Sequence, residues 1–131
     1  MLLEICSQEV SAFSEFISDL PMDTILAASD KIRRSNRIFI FAHDISKVPG
    51  EFLKLRLLIL YYNVILIDLS DLEQTQKTLR KLTEGDLVIL FSFPRYYFPI
   101  GNIAKKASES GVPILTITDS DASPAACHSD L

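Results

Sequence analysis

Apolar residues occur along the chain in short blocks separated by longer amphipathic stretches. Four of these blocks have the length and composition of buried strands: Arg37–Phe41, Val64–Leu69, Leu87–Phe91 and Ile114–Thr118. Each is almost continuously apolar, which is typical of parallel strands that are covered on both faces. Because helical patterns lie between the blocks, the order predicts right-handed β-α-β units and a parallel α/β sheet.

The stretches between the strands carry helical periodicity and helix-ending residues. We predict helices over Asp23–Arg34, Glu51–Tyr62, Ser70–Gly85 and Pro99–Ser110, with a loop over Ala42–Gly50. Ser70 and Glu73 match a capping box, and Gly85 and Gly111 end their helices. The predicted buried side of the first of these helices consists of Ile25, Leu26, Ala28 and Ile32. The Glu51–Tyr62 helix is apolar on nearly every side, so we expect a partner subunit to cover its outer face.

The N-terminal segment Met1–Leu20 has its own helical pattern, which Pro21 ends. Apolar residues recur at alternating spacings of three and four: Leu3, Cys6, Val10, Phe13, Ile17 and Leu20. Such spacing produces the seam of a coiled coil. Two interpretations of the seam stay open at this point: the helix packs on its own domain, or it pairs with another subunit.

Composition and charge narrow the class of protein. With 131 residues, 48% of them hydrophobic, the chain forms one packed domain. The net charge of −4 gives no attraction to phosphate backbones, so nucleic acid is not expected as a direct partner. The longest uncharged apolar run, Leu57–Ile67, is too short to span a bilayer, and no signal peptide is evident. We therefore expect a cytoplasmic protein in which Cys6 and Cys127 are reduced.

The loop Ser92–Phe98, which follows the third strand, is the first place to look for a ligand site, because the carboxyl ends of parallel strands form the ligand crevice of such sheets. Ser92 is either a phosphate ligand or the cap of a turn. Arg95 either binds an anion through two parallel hydrogen bonds or is solvated. Tyr97, like its neighbour Tyr96, lines a sugar site or packs under the loop. Ser46, after the first strand, is expected to face the same crevice.

Motifs for catalysis, metals and cofactors are not evident. His43 and Asp44 are adjacent on an extended loop, where neighbouring side chains point apart, so they do not predict a catalytic pair. His128 has no metal-ligand companion at a useful spacing. The sequence contains neither a glycine-rich dinucleotide loop nor a P-loop lysine. We predict no metal and no cofactor.

From about Asp23 onward, the chain resembles the SIS (sugar isomerase) domain and, within that family, the effector domain of RpiR-type bacterial transcriptional regulators. Three segments carry this resemblance: RIFIF with the following Ser46, GDLVILFSFPRYYFP, and GVPILTITDSDASPAA. The resemblance implies a three-layer α/β sandwich around a parallel, flavodoxin-like sheet of five strands. It also implies a dimer that binds a phosphosugar at the strand ends.

Both phosphate-binding loops of the family are altered in this chain. Ala42 and Asp44 stand where the first loop usually has glycines. The second loop usually reads Ser-x-Ser-Gly-x-Thr, and here Pro94, Arg95 and Tyr97 replace the second serine, the glycine and the threonine. The predicted phosphosugar site therefore consists of Ser46, Ser92, Arg95 and Tyr97. Three alternatives stay open: Arg95 binds the anion in place of the lost hydroxyls, the site binds a different ligand, or it binds none.

The resemblance also suggests how the chain is organised. We expect residues 1–22 to be a connector helix and residues 23–131 to be an SIS-like domain that lacks its last strand and leaves a sheet edge exposed. The helix-turn-helix domain of the regulators is expected to be absent, so DNA would be contacted only through such a domain elsewhere. The predicted function is a phosphosugar-sensing, dimerising effector domain without catalytic activity. Two alternatives are a sugar-phosphate isomerase, with Glu51 or His43 as the base, and a degenerate domain that serves only dimerisation.

Overall fold

Four parallel strands form the centre of the part of the chain described by the computed structural model, residues 1–97 and 99–131. The strands are β1 (Arg37–Ala42), β2 (Val64–Asp68), β3 (Asp86–Ser92) and β4 (Ile114–Thr118). The helices are α1 (Leu2–Ser18), α2 (Met22–Arg34), α3 (Lys47–Ile59), α4 (Leu72–Arg80) and α5 (Ile100–Glu109). Phe98, the last residue of the predicted ligand loop, lies outside the described residues.

The strand order is β2-β1-β3-β4, and every neighbouring pair is parallel. Strands that are adjacent in sequence but parallel require helical crossovers, and α3, α4 and α5 supply them. The positions of all four predicted strands are confirmed to within one residue.

Side chains alternate between two apolar cores, one on each face of the sheet. Phe39 and Phe41 face α4 and α5. Ile38 and Ile40 face the other core, which contains Leu57 of α3 and is contacted by α2. This arrangement of helices on both faces is the predicted three-layer sandwich.

Arg37 and Asp86 fasten the amino-terminal ends of β1 and β3. They are partners in the strand register, and Arg37 donates from Nε at 2.8 Å and from Nη2 at 2.7 Å to the two carboxylate oxygens. Asp86 also accepts from the Thr83 backbone N–H at 2.8 Å. Burial raises the pKa of Asp86, but the hydrogen bonds from Arg37 and Thr83 outweigh burial and hold the pKa below its ordinary value. The pair therefore supports the end of the sheet opposite to the predicted crevice.

The predicted helix Glu51–Tyr62 was wrong at its start, because α3 begins at Lys47, inside the predicted loop. Pro49 lies in the first turn, where its missing N–H is tolerated. Gly50 lets the helix approach the sheet, since a Cβ at this position would lie 3.2 Å from the Leu66 Cδ1 atom. The Pro49-Gly50 pair, which predicts a loop from sequence alone, therefore fits in a helix because Pro49 lies in its first turn and Gly50 faces the sheet.

Two local predictions for other helices were also wrong. In α2, Ala28 and Ile32 contact the core, but Ile25 and Leu26 are exposed. The N-cap of α4 is Asp71, which accepts from the Gln74 N–H at 3.0 Å, rather than Ser70. Ser70 instead donates its backbone N–H and its hydroxyl to the Asp68 carboxylate, two residues before it in the chain.

Helix α1 buries none of its residues. The interpretation that α1 packs on its own domain is therefore wrong. The outer face of α3 is exposed as well: Val48, Phe52, Leu55 and Ile59 lie along it at spacings of four, three and four.

The C-terminal residues lie along the free side of β4. The Leu131 N–H donates to the Ile114 carbonyl at 3.3 Å, and the Leu131 carbonyl accepts from the Thr116 N–H at 2.9 Å. These two bonds, which skip one residue of β4, have the pattern of a parallel strand pair. The Ile114 N–H in turn donates to the side-chain carboxylate of Asp130 at 2.8 Å. The first part of the β4 edge is thus paired.

Candidate functional site

A cleft of about 630 Å³ lies at the carboxyl ends of β1 and β3. Parallel order places these ends side by side, so the loop after β1 and the loop after β3 form its walls. The lining residues are His43, Asp44, Ile45, Ser46, Val48, Phe91, Ser92, Phe93, Pro94, Arg95 and Tyr97. The four residues of the predicted site therefore lie around one cleft.

Ser92 ends β3 at the floor of the cleft. Its side chain is 2% exposed, and its hydroxyl has no hydrogen-bond partner among the described residues. A buried hydroxyl without a partner costs about 1–3 kcal/mol. Buried polar groups are normally paired, so an unpaired one at the floor of a cleft indicates a position where a ligand atom supplies the partner.

Ser46 lies in the opposite wall, and its hydroxyl is already occupied. The His43 N–H donates to the Ser46 Oγ atom at 3.0 Å, and the Ser46 hydroxyl donates to the His43 carbonyl at 2.6 Å. These bonds close the turn that leads from β1 into α3. One lone pair of the Ser46 oxygen remains for a ligand.

His43 and Tyr97 join the two loops across the cleft. Their rings stack with centroids 4.2 Å apart and an interplanar angle of 28°. The Tyr97 hydroxyl donates to the Leu69 carbonyl at 3.2 Å, which holds the tyrosine in place. The His43 Nδ1 atom is buried without a hydrogen-bond partner in the described part of the chain. The sequence interpretation considered His43 as half of a catalytic pair and as the base of an isomerase, but did not include it among the ligand-binding residues. Its position directly after β1 was the signal that it lines the crevice.

Asp44 and Arg95, two exposed residues at the cleft, have left-handed backbone conformations. Their φ angles are +52° and +58°. Side chains with a Cβ adopt this region at a cost of about 1–2 kcal/mol, whereas glycine adopts it freely. These are two of the positions at which the SIS pattern described above has glycine. The chain thus keeps the backbone of a glycine-containing loop and places one carboxylate and one guanidinium at the cleft.

Two further polar pairs lie at the same edge of the sheet. Tyr96 donates its hydroxyl to Asp119 at 2.6 Å, and this bond raises the pKa of the phenol. The Lys47 ammonium nitrogen lies 2.7 Å from the Oδ2 atom of Asp68. The hydrogen bond from Lys47, supported by two from Ser70, lowers the pKa of Asp68 to about 2. Asp68 is therefore ionised near neutral pH, and each of the two acids has a hydrogen-bond partner of its own.

The cleft presents a buried hydroxyl, a guanidinium, an imidazole and the Asp44 carboxylate between apolar walls. Such polar groups can orient a small polar molecule through hydrogen bonds. Glu51 does not line the cleft. Its Oε2 atom lies 3.7 Å from the Lys54 ammonium nitrogen. Among residues 1–97 and 99–131, no group of three potential metal ligands occurs, and no helix is long and apolar enough to cross a membrane.

Comparisons with known proteins agree with this architecture. A family model described as SIS domain matches residues 31–131. No curated protein matches the chain by sequence. Among solved structures, the sugar isomerase domain of an RpiR transcription factor from Sphaerobacter thermophilus is 24% identical with a TM-score of 0.86. The alignment covers 99% of this chain and 72% of that one.

Two other solved structures extend the comparison. The NanR protein of Vibrio vulnificus, complexed with ManNAc-6P, is 16% identical with a TM-score of 0.84, and the match covers 99% of this chain but 49% of NanR. A Listeria monocytogenes protein named as a proposed sugar-phosphate isomerase is 20% identical with a TM-score of 0.74, covering 98% of this chain and 69% of that one. At these identities the likeness establishes the fold.

Proposed function

The chain belongs to the SIS domain family, and on this basis we propose that it is a phosphosugar-sensing, dimerising effector domain of an RpiR-type transcriptional regulator. The observation that carries the sensing part is the buried, unpartnered Ser92 hydroxyl at the floor of a cleft that also presents Arg95. The similarity in fold to an RpiR factor and to NanR, a protein complexed with a phosphosugar, supports the choice of ligand class.

In this proposal Arg95 binds the phosphate. The second serine and the threonine of the family's loop are replaced, so a bidentate guanidinium compensates for the lost hydroxyls. Ser92 donates its hydroxyl to the same phosphate or to the sugar. Tyr97 and Ser46 complete the walls, Tyr97 through its ring face and Ser46 through its remaining lone pair.

Thermal unfolding with a panel of phosphosugars tests the proposal. A ligand at a hundredfold excess over its Kd should stabilise the protein by about 2.7 kcal/mol. The matching unphosphorylated sugars and inorganic phosphate separate recognition of the sugar from recognition of the anion. Arg95→Ala should abolish the shift, whereas Lys105→Ala, which removes an exposed cation from α5, should leave it intact. A flat response across the panel, or a full response in Arg95→Ala, contradicts the assigned roles.

The same proposal covers the parts of the protein beyond the cleft. Residues 1–22 act as a connector helix, and residues 23–131 form the effector domain. DNA is contacted only through a helix-turn-helix domain, and the complex works in the cytoplasm.

A sugar-phosphate isomerase is the alternative function, favoured by the fold of the Listeria protein. Isomerisation needs a base beside the sugar's carbonyl. His43 lines the cleft, whereas Glu51 does not. Turnover of ketose and aldose phosphates that is lost in His43→Gln would favour the isomerase. Ligand-induced stabilisation without turnover favours the sensor. Dimerisation without either response would favour a domain kept only for assembly.

A further inference from the structure

Among the described residues, α1 and α3 each expose a stripe of apolar side chains. The α1 seam contains Leu3, Val10, Phe13 and Ile17, which are 50–85% exposed. The α3 stripe contains Val48, Phe52, Leu55 and Ile59, which are 57–70% exposed. Large exposed apolar surfaces mark interaction sites in soluble proteins. Because the side chains of both stripes are exposed, the described part of the chain covers neither surface.

We infer that the α1 seam of one copy docks on the α3 stripe of a second copy, and that the second copy does the same in return. The inference rests on the dimerisation part of the proposed function and specifies its surface. At roughly 100 Å² for each partly exposed apolar side chain, the symmetric pair buries about 1,600 Å², the area of a standard protein–protein interface.

Charge selects this pairing over a pairing of α1 with α1. Every charged side chain of α1 is acidic: Glu4, Glu9 and Glu15. Two copies of α1 side by side would therefore bring like charges together. Helix α3 carries three basic residues, Lys47, Lys54 and Arg56. Lys47 pairs with Asp68 and Lys54 with Glu51, so Arg56 supplies the positive charge that has no ion-pair partner among the described residues. An acidic helix and a basic helix attract each other, and complementary charges set the choice of partner.

Helical geometry places one charge of each sign beside the seams. Glu9 immediately precedes the seam residue Val10, and Arg56 immediately follows the stripe residue Leu55. On a heptad both positions flank the contact stripe, where interhelical ion pairs form. Both side chains are exposed, and neither takes part in an ion pair among the described residues. The opposite side of α3 is occupied, since Gly50 and Leu57 are buried against the sheet.

A charge-swap experiment on the full chain tests the inference. Sedimentation equilibrium gives the dimer Kd of the wild type, Glu9→Arg, Arg56→Glu and the double variant. Each single variant should raise Kd about tenfold, because two symmetry-related attractions become repulsions. The double variant should restore Kd to within about threefold of the wild type. Glu73→Lys, a reversal of an exposed charge on α4, is the matched control and should leave Kd unchanged.

Several results would overturn the inference. An unchanged Kd in Arg56→Glu would leave α3 outside the interface and point to α1 pairing with α1. Additive losses in the double variant would show that the two positions do not meet. A wild type that stays monomeric at about 100 μM would exclude the interface altogether. If that monomer still binds phosphosugars, the sensing role survives. Phe52→Asp tests the apolar part separately and should abolish the dimer, with thermal melts confirming that each variant is folded.

Discussion

Ser46 and Ser92 should respond to the same substitution with opposite signs of stability change. Both serines line the cleft and both are buried, at 7% and 2% exposure. They differ in their hydrogen bonds, because the Ser46 hydroxyl has two and the Ser92 hydroxyl has none among the described residues. Replacing each serine by alanine removes one oxygen with almost no change in shape. The comparison therefore isolates the hydrogen-bonding state of each hydroxyl.

The expected magnitudes come from those bonds. Ser46→Ala removes a 3.0 Å bond and a 2.6 Å bond to the backbone of His43, and at about 1 kcal/mol for each the protein should lose about 1–2 kcal/mol. Ser92→Ala removes a hydroxyl that is desolvated without compensation. Recovery of part of that penalty should raise the free energy of unfolding by up to about 1 kcal/mol, a shift in Tm of roughly 3–5 °C.

Urea unfolding followed by circular dichroism measures both changes, with the slope m checked to be the same in all three proteins. A loss of 1 kcal/mol or more in Ser92→Ala would refute the reasoning, since it would mean that this hydroxyl already has a partner in the unliganded protein. Repeating the titrations with a phosphosugar separates stability from binding. Ser92→Ala should be the more stable protein without ligand and the less stabilised protein with it, the trade-off expected at a functional site.

Three other predictions concern the Arg37–Asp86 pair, the pH dependence of stability, and two residues with left-handed backbone, Tyr61 and Arg95. Asp86→Asn should lower the free energy of unfolding by about 1–2 kcal/mol, because it removes charge-assisted hydrogen bonds from a buried carboxylate to the partly exposed Arg37. Asp30→Asn, in an exposed pair on α2, should leave the urea midpoint unchanged. Because the pKa of Asp68 is about 2 in the folded protein against an ordinary 3.8, its contribution to the free energy of unfolding is complete above about pH 5 and is lost as the pH falls through 2. Asp68→Asn should flatten that part of a stability–pH curve. Tyr61→Gly and Arg95→Gly, at φ angles of +66° and +58°, should each raise the free energy of unfolding by up to about 1 kcal/mol, and only the second should alter ligand binding.

The fold could be predicted because its signals are local and repeated. Each strand is an apolar block of a few residues, and every such block between helices implies a parallel crossover. The errors occurred where particular side-chain contacts decided the outcome. Gly50 is accommodated in α3 because the helix packs close to Leu66 of the sheet, and Ser70 bonds to Asp68, two residues before it, instead of capping α4. Ile25 and Leu26 follow a helical stripe that the sheet does not reach.

The candidate site was predictable in position but not in detail. Strand ends identify the loops, so Ser46, Ser92, Arg95 and Tyr97 could be assigned to one crevice. The occupied hydroxyl of Ser46 and the unpartnered hydroxyl of Ser92 could not be distinguished from sequence, because both follow a strand in a polar loop. The stacking of His43 on Tyr97 depends on two loops that are separated by more than fifty positions in the chain.

Val48 belongs both to the lining of the ligand cleft and to the apolar stripe on α3. If the stripe is covered by a second copy, ligand binding and assembly share one side chain. Any ligand that changes the packing of Val48 then changes the dimer Kd, and thermodynamic reciprocity requires assembly to change the ligand Kd by the same factor. Ligand affinity would consequently depend on protein concentration, so a domain acting as the proposed sensor would report its own abundance along with that of its ligand.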